Sequence, residues 1–345
     1  MMTQWHEFLA TQGAVIDNGI VTNFGSPQAE LQTAASGHIL SDLSHLGLLQ
    51  VAGDDAVTFL QGQLTNDVKQ LDGSTSHYAG YCNPKGRLLA LFLAFAHQDH
   101  IHLQLDGALV EPILKRLKMY VMRSKVVITD VTQDIVRLGI AGANSETLLK
   151  QLFDTVPQQP HQISTLEHAT LIRLPGPLAR FEILTNSEYA AGLWQQLSTH
   201  FTPVGKNSWD YLEIHAGIPE IVPGTQEAFV PQMVNLDALG GINFKKGCYT
   251  GQEIVARTHY LGKVKRRTQL AHIATSEMAA PKAGDAIHAK GTQDAVGQIV
   301  RSAAAVEGGF DVLAEVRLDS LEAGTVDWQG SSLAILGLPY SLASE

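Results

Sequence analysis

An α+β fold built from three successive units is what this chain predicts, and three observations carry the expectation. Its 345 residues exceed what one ordinary hydrophobic core accommodates. Strand and helix patterns are mixed as far as residue 216. After Lys265 the pattern changes to short strands between turns, spaced by roughly ten residues, which suits a small β-barrel or sandwich. The expected division is 1–132 (mixed α/β), 133–218 (ferredoxin-like), 219–264 (a long connection with a short glycine-containing motif) and 265–345 (the β-rich end).

Each element has a local reason. Val51-Ala-Gly-Asp-Asp-Ala predicts a strand end, an aspartate cap and a helix running through Leu64. Tyr78–Cys82 and Arg87–Ala96 read as strands joined by Asn83-Pro-Lys-Gly86, with proline and glycine placed as a type I turn requires. Ile101–Leu105 is a third strand, Leu109–Met122 an amphipathic helix and Lys125–Thr129 a β-branched strand. The second unit reads β-α-β-β-α: strand Ile135–Ala141, helix Ser145–Phe153, strands His168–Leu174 and Phe181–Thr185, helix Ser187–Ser198. A further helix, Ser208–Ala216, ends at Gly217 and Pro219. Residues 219–243, rich in proline and glycine, form a connection long enough to be functional. The last unit has strands at Thr268–Ile273, Ala286–Ala289, Val296–Arg301, Phe310–Val316 and Ser332–Leu336.

Composition bounds the setting. With 45% hydrophobic and 17% charged residues the chain reads as soluble and globular. Its first residues lack the basic and apolar regions of a secretory signal. The longest apolar run, Leu88–Ala96, is about half of a membrane span and reads as a buried strand. Two cysteines, Cys82 and Cys248, make no disulfide framework, so a reduced cytoplasmic protein without membrane contact is expected. Net charge is −10, yet residues 245–267 hold seven basic side chains against Glu253, and residues 115–125 hold five against none. Those 12 cations leave 12 basic against 33 acidic residues elsewhere, which predicts a positive groove on an acidic body, suited to a polyanion. Solvated faces of a helix and a strand would give the same count.

The most informative stretch is Phe244-Lys-Lys-Gly-Cys-Tyr-Thr-Gly-Gln-Glu253. Thr250 and Glu253 have the spacing of a capping box, and Ile254, Val255 and Ala256 follow as in a helix start. Cys248 would face the positive end of that helix and the ammonium groups of Lys245 and Lys246, which favours a thiolate: a nucleophile, redox thiol or soft-metal ligand. The same residues also build a plain turn with Cys248 as a small buried filler. No phosphate-loop, dinucleotide, nucleophile-elbow, zincin or Cys-x-x-Cys motif occurs, and no stably bound metal is expected. His97, His100 and His102 read as a surface edge, since no acid partners them. Trp209 heads an amphipathic helix, as core packing or as a plane on which a flat heterocycle stacks.

The run from Phe244 to Arg257 resembles the signature of the YgfZ family, a branch of the folate-binding glycine-cleavage T-protein superfamily. Gly53-Asp-Asp-Ala-x-x-Phe-Leu-Gln-Gly-Gln-Leu-Thr-Asn-Asp-Val68 resembles its first-domain motif. His215-Ala-Gly-Ile-Pro219, Phe229-Val-Pro-Gln-Met-x-Asn-Leu-x-Ala-Leu-Gly-Gly-Ile242 and the ending Leu338-Pro-Tyr-Ser-Leu342 extend the likeness over about residues 40–340. The resemblance implies a T-protein-like three-domain architecture: two mixed α/β subdomains around a central opening for tetrahydrofolate, one of them ferredoxin-like, and a C-terminal small β-barrel. It also implies a cytoplasmic accessory role in maturing or maintaining iron–sulfur enzymes, including tRNA-modifying ones, with folate, those clients or assembly proteins as partners and tRNA an indirect one. On that footing Cys248 is the working thiol, with Lys246 and Glu253 beside it in a segment shaped by Gly247 and Gly251. Contact with the cofactor falls to Trp209, His215, Asn66, Asp67, Tyr249, Gln252 and Arg257.

Three departures from the superfamily pattern bear on activity. Ala90 and Leu91 stand where the T-protein places its catalytic aspartate, so aminomethyl transfer by that route lacks its proton acceptor and a conventional enzyme is not expected. His215 replaces a glutamate that pairs with the pterin, and Leu46 a second folate-contacting tryptophan. The leading expectation is therefore a tetrahydrofolate-binding accessory protein acting through Cys248, its basic clusters attracting folate's anionic tail. A one-carbon transferase or demethylase, with Asp67 or Glu253 replacing the missing acid, is a second reading. A module docking tRNA or protein through the two basic clusters is a third.

Overall fold

The computed structural model describes residues 2–275 and 279–342. A five-stranded antiparallel sheet runs in the order Ser76–Cys82, Leu88–His97, His100–Asp106, Leu46–Ala52, Val127–Asp130. Its hairpin closes where expected, with Gly86 at φ +69° and its N–H on the Asn83 carbonyl at 2.9 Å. Leu88–Phe95 is almost wholly buried, which explains a continuous apolar run where a half-exposed strand would alternate. One face is covered by the helix Val110–Val121 through Ile113 and Leu117.

The second sheet has six strands: Ile163–Thr165, Ala169–Leu174, Arg180–Asn186, Ile135–Ala141, Ile39–Asp42, Thr202–Val204. Its β-α-β-β-α part matches the expected ferredoxin-like order, but a strand from the N-terminal segment sits inside it. Ile39–Asp42 pairs antiparallel with Ile135–Ala141 and parallel with Thr202–Val204. The helix Met2–Thr11 follows it there: Trp5 packs edge-on to Trp194 at 5.7 Å and donates its indole N–H to buried Asp42. Chain order thus groups residues 1–132, while hydrogen bonds place Ile39–Asp42 in the second sheet, and Val15–Asp17 with Ile20–Asn23 pair as a separate two-stranded sheet. The helix expected at Ser145–Phe153 is shorter, Ser145–Leu149.

The C-terminal strands close into a six-stranded barrel in the order Arg266–Ile273, Phe310–Arg317, Ala295–Ala304, Ala286–Ala289, Val326–Trp328, Ser331–Leu336. Closure leaves no unpaired edge, which decides between the two expected β architectures. The connection 219–243 is not a surface loop. Phe229, Val234 and Leu236 are fully buried, and the backbone is satisfied by Leu88 N–H on the Phe229 carbonyl and Glu227 N–H on the Leu88 carbonyl, both 2.8 Å. Its other end holds the barrel, through Asn235 Nδ2 on the Thr268 carbonyl and a bidentate pair between Arg267 and Asp237. Among the described residues no helix is long and apolar enough to cross a membrane.

The helix Lys206–His215 carries Trp209 against the second sheet, where Gly139 makes room for the indole. A Cβ there would lie 2.6–2.8 Å from three ring carbons. Gly139→Ala is therefore expected to cost about 1–3 kcal/mol by overpacking, read from urea unfolding. Pairing it with Trp209→Ala should recover part of that loss, since the clash is with the ring itself.

Candidate functional site

A recess lies where the two sheets, the helix Lys206–His215 and the barrel meet. Its walls include His45, Leu46, Tyr78, Leu91, Gln104, Asp106, Glu182, Trp209, Glu213, Glu220 and Arg301. Space for water inside is ≈ 70 Å³, and the whole recess counted out to solvent is ≈ 590 Å³. A flat ring system would therefore sit in an open recess rather than a sealed chamber. Strand alternation sends Leu91 to the recess and buries Ala90 elsewhere, so no carboxylate comes from the place of the superfamily's aspartate.

The walls hold unmet polar atoms. Glu182 accepts from Gln104 Nε2 at 2.9 Å through one oxygen, while its second oxygen and Gln104 Oε1 are buried without a partner. Burial raises the Glu182 carboxyl to about 7. His45 Nε2 is likewise unmet, and burial followed by the charge of Lys206 lowers that ring to about 3, so it is neutral. Asp106 is raised to about 6 by burial and the nearby Glu220. Glu213 and Glu220 are engaged: Arg180 reaches Glu213 at 2.6 Å, and Arg301 reaches Asp210, Glu213 and Glu220 at 2.6, 3.5 and 3.9 Å. One unpaired carboxylate oxygen, one amide oxygen and one neutral imidazole form a donor–acceptor set for a polar heteroaromatic edge; the neighbouring Trp209 is 2% exposed and carries the Arg180 guanidinium 5.7 Å from its ring centroid. A carboxylate with a free oxygen suits the adjacent N–H and NH₂ donors of a pterin, and the residues present fit that group. Among the described residues no group of three or more His, Cys, Asp or Glu side chains is arranged to hold a metal ion.

The Lys245–Glu253 segment lies apart from the recess lining. Cys248 is exposed, which removes the reading of a buried filler; Cys82 is the buried thiol, and burial pushes it up to about 12. Lys246 turns inward rather than standing beside the thiol. Its ammonium donates to the carbonyls of Gln61, Leu64 and Asn66 at 2.9, 2.6 and 2.8 Å and lies 5.2 Å from the Tyr249 ring centroid. Burial lowers it to about 8, so it remains charged at neutral pH. The expected capping box does not form. The helix runs Gln252–Tyr260 with Gly251 as its cap at φ +82°, which puts Glu253 one position too early for the reciprocal bond and leaves Thr250 outside. Gly251 takes that place because a Cβ would meet the Asn83 carbonyl oxygen at 2.5 Å and Gly86 at 2.9 Å, so the segment is seated on the Asn83–Gly86 turn.

Of the residues expected to touch the cofactor, Trp209 lines the recess; Asn66, Asp67, Tyr249, Gln252, Arg257 and His215 do not. His215 instead bonds Asp311 through Nε2 at 2.8 Å, and His272 bonds the same carboxylate. Asp67 accepts from Gln61 Nε2 and the Lys69 N–H. Gln252 is half-buried, and Glu253, Arg257 and Gly247 are exposed. Asn66 joins the two regions: its amide donates to the carbonyls of Tyr78 and Gly240, its own carbonyl receives Lys246, and Tyr78 is a recess wall. Glu182, Gln104, His45 and Asp106 were not singled out from the sequence; the available signal was a glutamate set between Phe181 and the pair Ile183 and Leu184. His102, expected at a surface edge, is buried and stacked on Phe95 at 5.5 Å, and burial lowers it to about 4.

Comparison with known proteins agrees with this architecture. The family model described as GCVT N-terminal domain matches residues 6–243. The tRNA-modifying protein YgfZ of Yersinia pestis (strain Pestoides F) is 33% identical over 324 residues, covering 92% of this chain and 97% of the relative. The protein of the same name from Sodalis glossinidius (strain morsitans) is 34% identical over 264 residues, covering 76% and 80%. The crystal structure of the glycine cleavage system aminomethyltransferase T from Bartonella henselae superposes with a TM-score of 0.73 at 16% identity, covering 97% of this chain and 96% of that one.

Lys246→Met would leave three carbonyls without their donor, and an unfolding titration is expected to show a loss of roughly 2–4 kcal/mol, with faster alkylation of Cys248 as the segment loosens. Glu182 gives a pH signature. Its folded carboxyl is raised from 4.5 to about 7, so the native state holds more protons between those values and stability falls as pH rises through them. Glu182→Gln lacks that loss, and its stability relative to the parent should rise by about 3 kcal/mol between pH 4.5 and 8. A constant difference across that range would mean the carboxyl is not perturbed.

Proposed function

The chain belongs to the family of the YgfZ tRNA-modifying proteins, with the fold of the glycine-cleavage T-protein, and from that premise we propose that it binds tetrahydrofolate and supports iron–sulfur enzymes, among them tRNA-modifying ones, through Cys248. The observation that carries the folate part is the half-used carboxylate of Glu182 in the recess that Trp209 also lines. Glu182 would accept from the pterin's N–H and NH₂ edge, Gln104 would orient that carboxylate, and neutral His45 would offer a further donor or acceptor. Folate, when bound, supplies one-carbon and redox chemistry at its reduced ring.

Cys248 is the chemical group of the second region, an exposed thiol on a segment held by the Lys246 clasp and by Gly251 on its turn. Asn66 is the physical link through which occupancy of the recess would reach that segment. A reduced, cytoplasmic setting suits a protein whose two cysteines are unpaired. The transferase reading is less well supported, because its proposed acids Asp67 and Glu253 are not recess walls and the place of the superfamily's aspartate holds Leu91.

Calorimetric titration with tetrahydrofolate is expected to show one site, weakened about tenfold or more in Glu182→Gln through loss of a charge-assisted hydrogen bond. Cys248→Ala should bind folate as the parent does, yet fail to restore iron–sulfur enzyme activity in cells lacking the protein. No folate binding would end the cofactor reading, and full restoration by Cys248→Ala would remove the thiol from the mechanism.

A further inference from the structure

We propose that the end of the helix Gln252–Tyr260 and the residues just after it form a docking surface for single-stranded RNA. Four cations stand exposed on this stretch and its approach: Lys245, Arg257, Lys263 and Lys265. None of the four has a carboxylate partner among the described residues, whereas the next two, Arg266 and Arg267, are matched to Glu315 and Asp237. Unpaired positive charge is thus gathered in the stretch 245–265, against the single acid Glu253, in a chain whose net charge is −10. Compensation of the helix dipole accounts for Arg257 in the last turn, but not for lysines beyond the helix.

Aromatic faces lie among these cations. The His259 ring stacks on Phe244 with centroids 3.7 Å apart and meets Tyr260 edge-on at 4.7 Å. Tyr260 is 63% exposed and Leu261 85%, unusual values for large apolar groups side by side. A groove of ≈ 640 Å³ opens beside the stack, walled in part by Phe244, His259 and Lys263. An acidic peptide would use the cations and leave the rings idle, and a duplex would offer phosphates with its base faces hidden. Unpaired nucleotides use both, phosphates on lysine and arginine and bases on aromatic planes. Charge complementarity together with stacking capacity points to that occupant. None of these residues lines the central recess, so the inference stands apart from the folate reading.

The test is fluorescence anisotropy of the full chain with a fluorescein-labelled single-stranded oligouridylate over a series of salt concentrations. With about four phosphates neutralised, log K should fall against log salt with a slope of roughly −2 to −3. Tyr260→Ala is expected to weaken binding about tenfold at every salt concentration, and Lys263→Ala with Lys265→Ala to flatten the slope by roughly 1 to 1.5. These side chains are exposed, and unchanged far-ultraviolet circular dichroism and an unchanged thermal unfolding midpoint would show the variants folded. Absence of binding at low salt, equal affinity in Tyr260→Ala, equal binding of duplex RNA, or tighter binding of a polyglutamate peptide would each overturn the proposal.

Discussion

Arg301 is the charge around which the barrel, the helix Lys206–His215 and the second sheet are assembled. It projects from a barrel strand into a site where it is 8% exposed, and it meets Asp210 and Glu213 of the helix that carries Trp209 and Glu220 of the connection. Burial opposes its charge, but Glu220, Asp210 and Glu213 more than offset that, and its pKa is raised. Glu213 in turn holds Arg180 of the second sheet, and Lys206 closes on Asp210. A buried charge with matched partners is costly to leave half-paired, on the order of 3–5 kcal/mol. Barrel, helix and second sheet are thereby held in one register, and the recess is the space that this register leaves open.

The network also sorts the recess carboxylates. Glu213 and Glu220 are consumed by arginines, while Glu182 and Asp106 stay close to the recess with raised pKa values. Division of labour follows from position: engaged acids hold the walls, and the half-engaged one remains available to a ligand. At the opposite side of Tyr78, the Lys246 clasp repeats the same logic with carbonyls in place of carboxylates. It fixes the backbone on which Cys248 is displayed while leaving the thiol in solvent.

Much of the architecture was legible because its signals are local. The Asn83–Gly86 turn, the strands around it, the helices near 110–121, 187–197 and 206–215, and the short C-terminal strands all follow from turn chemistry and apolar period. Pairing partners were not legible. Ile39–Asp42 and Trp5 join the second sheet across about 100 and 190 residues of sequence respectively, and period alone says nothing of such a partner. The capping box failed by one residue, because a close backbone approach at Gly251, invisible in the sequence, took the cap position.

Residue types and spacing alone determined the α+β class and singled out the Lys245–Glu253 segment and Trp209 as candidates. Only the tertiary structure decided what those residues face. It turned Lys246 inward, tied His215 to Asp311, left Cys248 in solvent and drew Glu182, His45 and the Gln104–Asp106 strand end to one recess from three separate places in the chain. The physical reason is that burial and hydrogen-bond partners set a side chain's chemistry, and both are properties of long-range packing, not of neighbours in sequence.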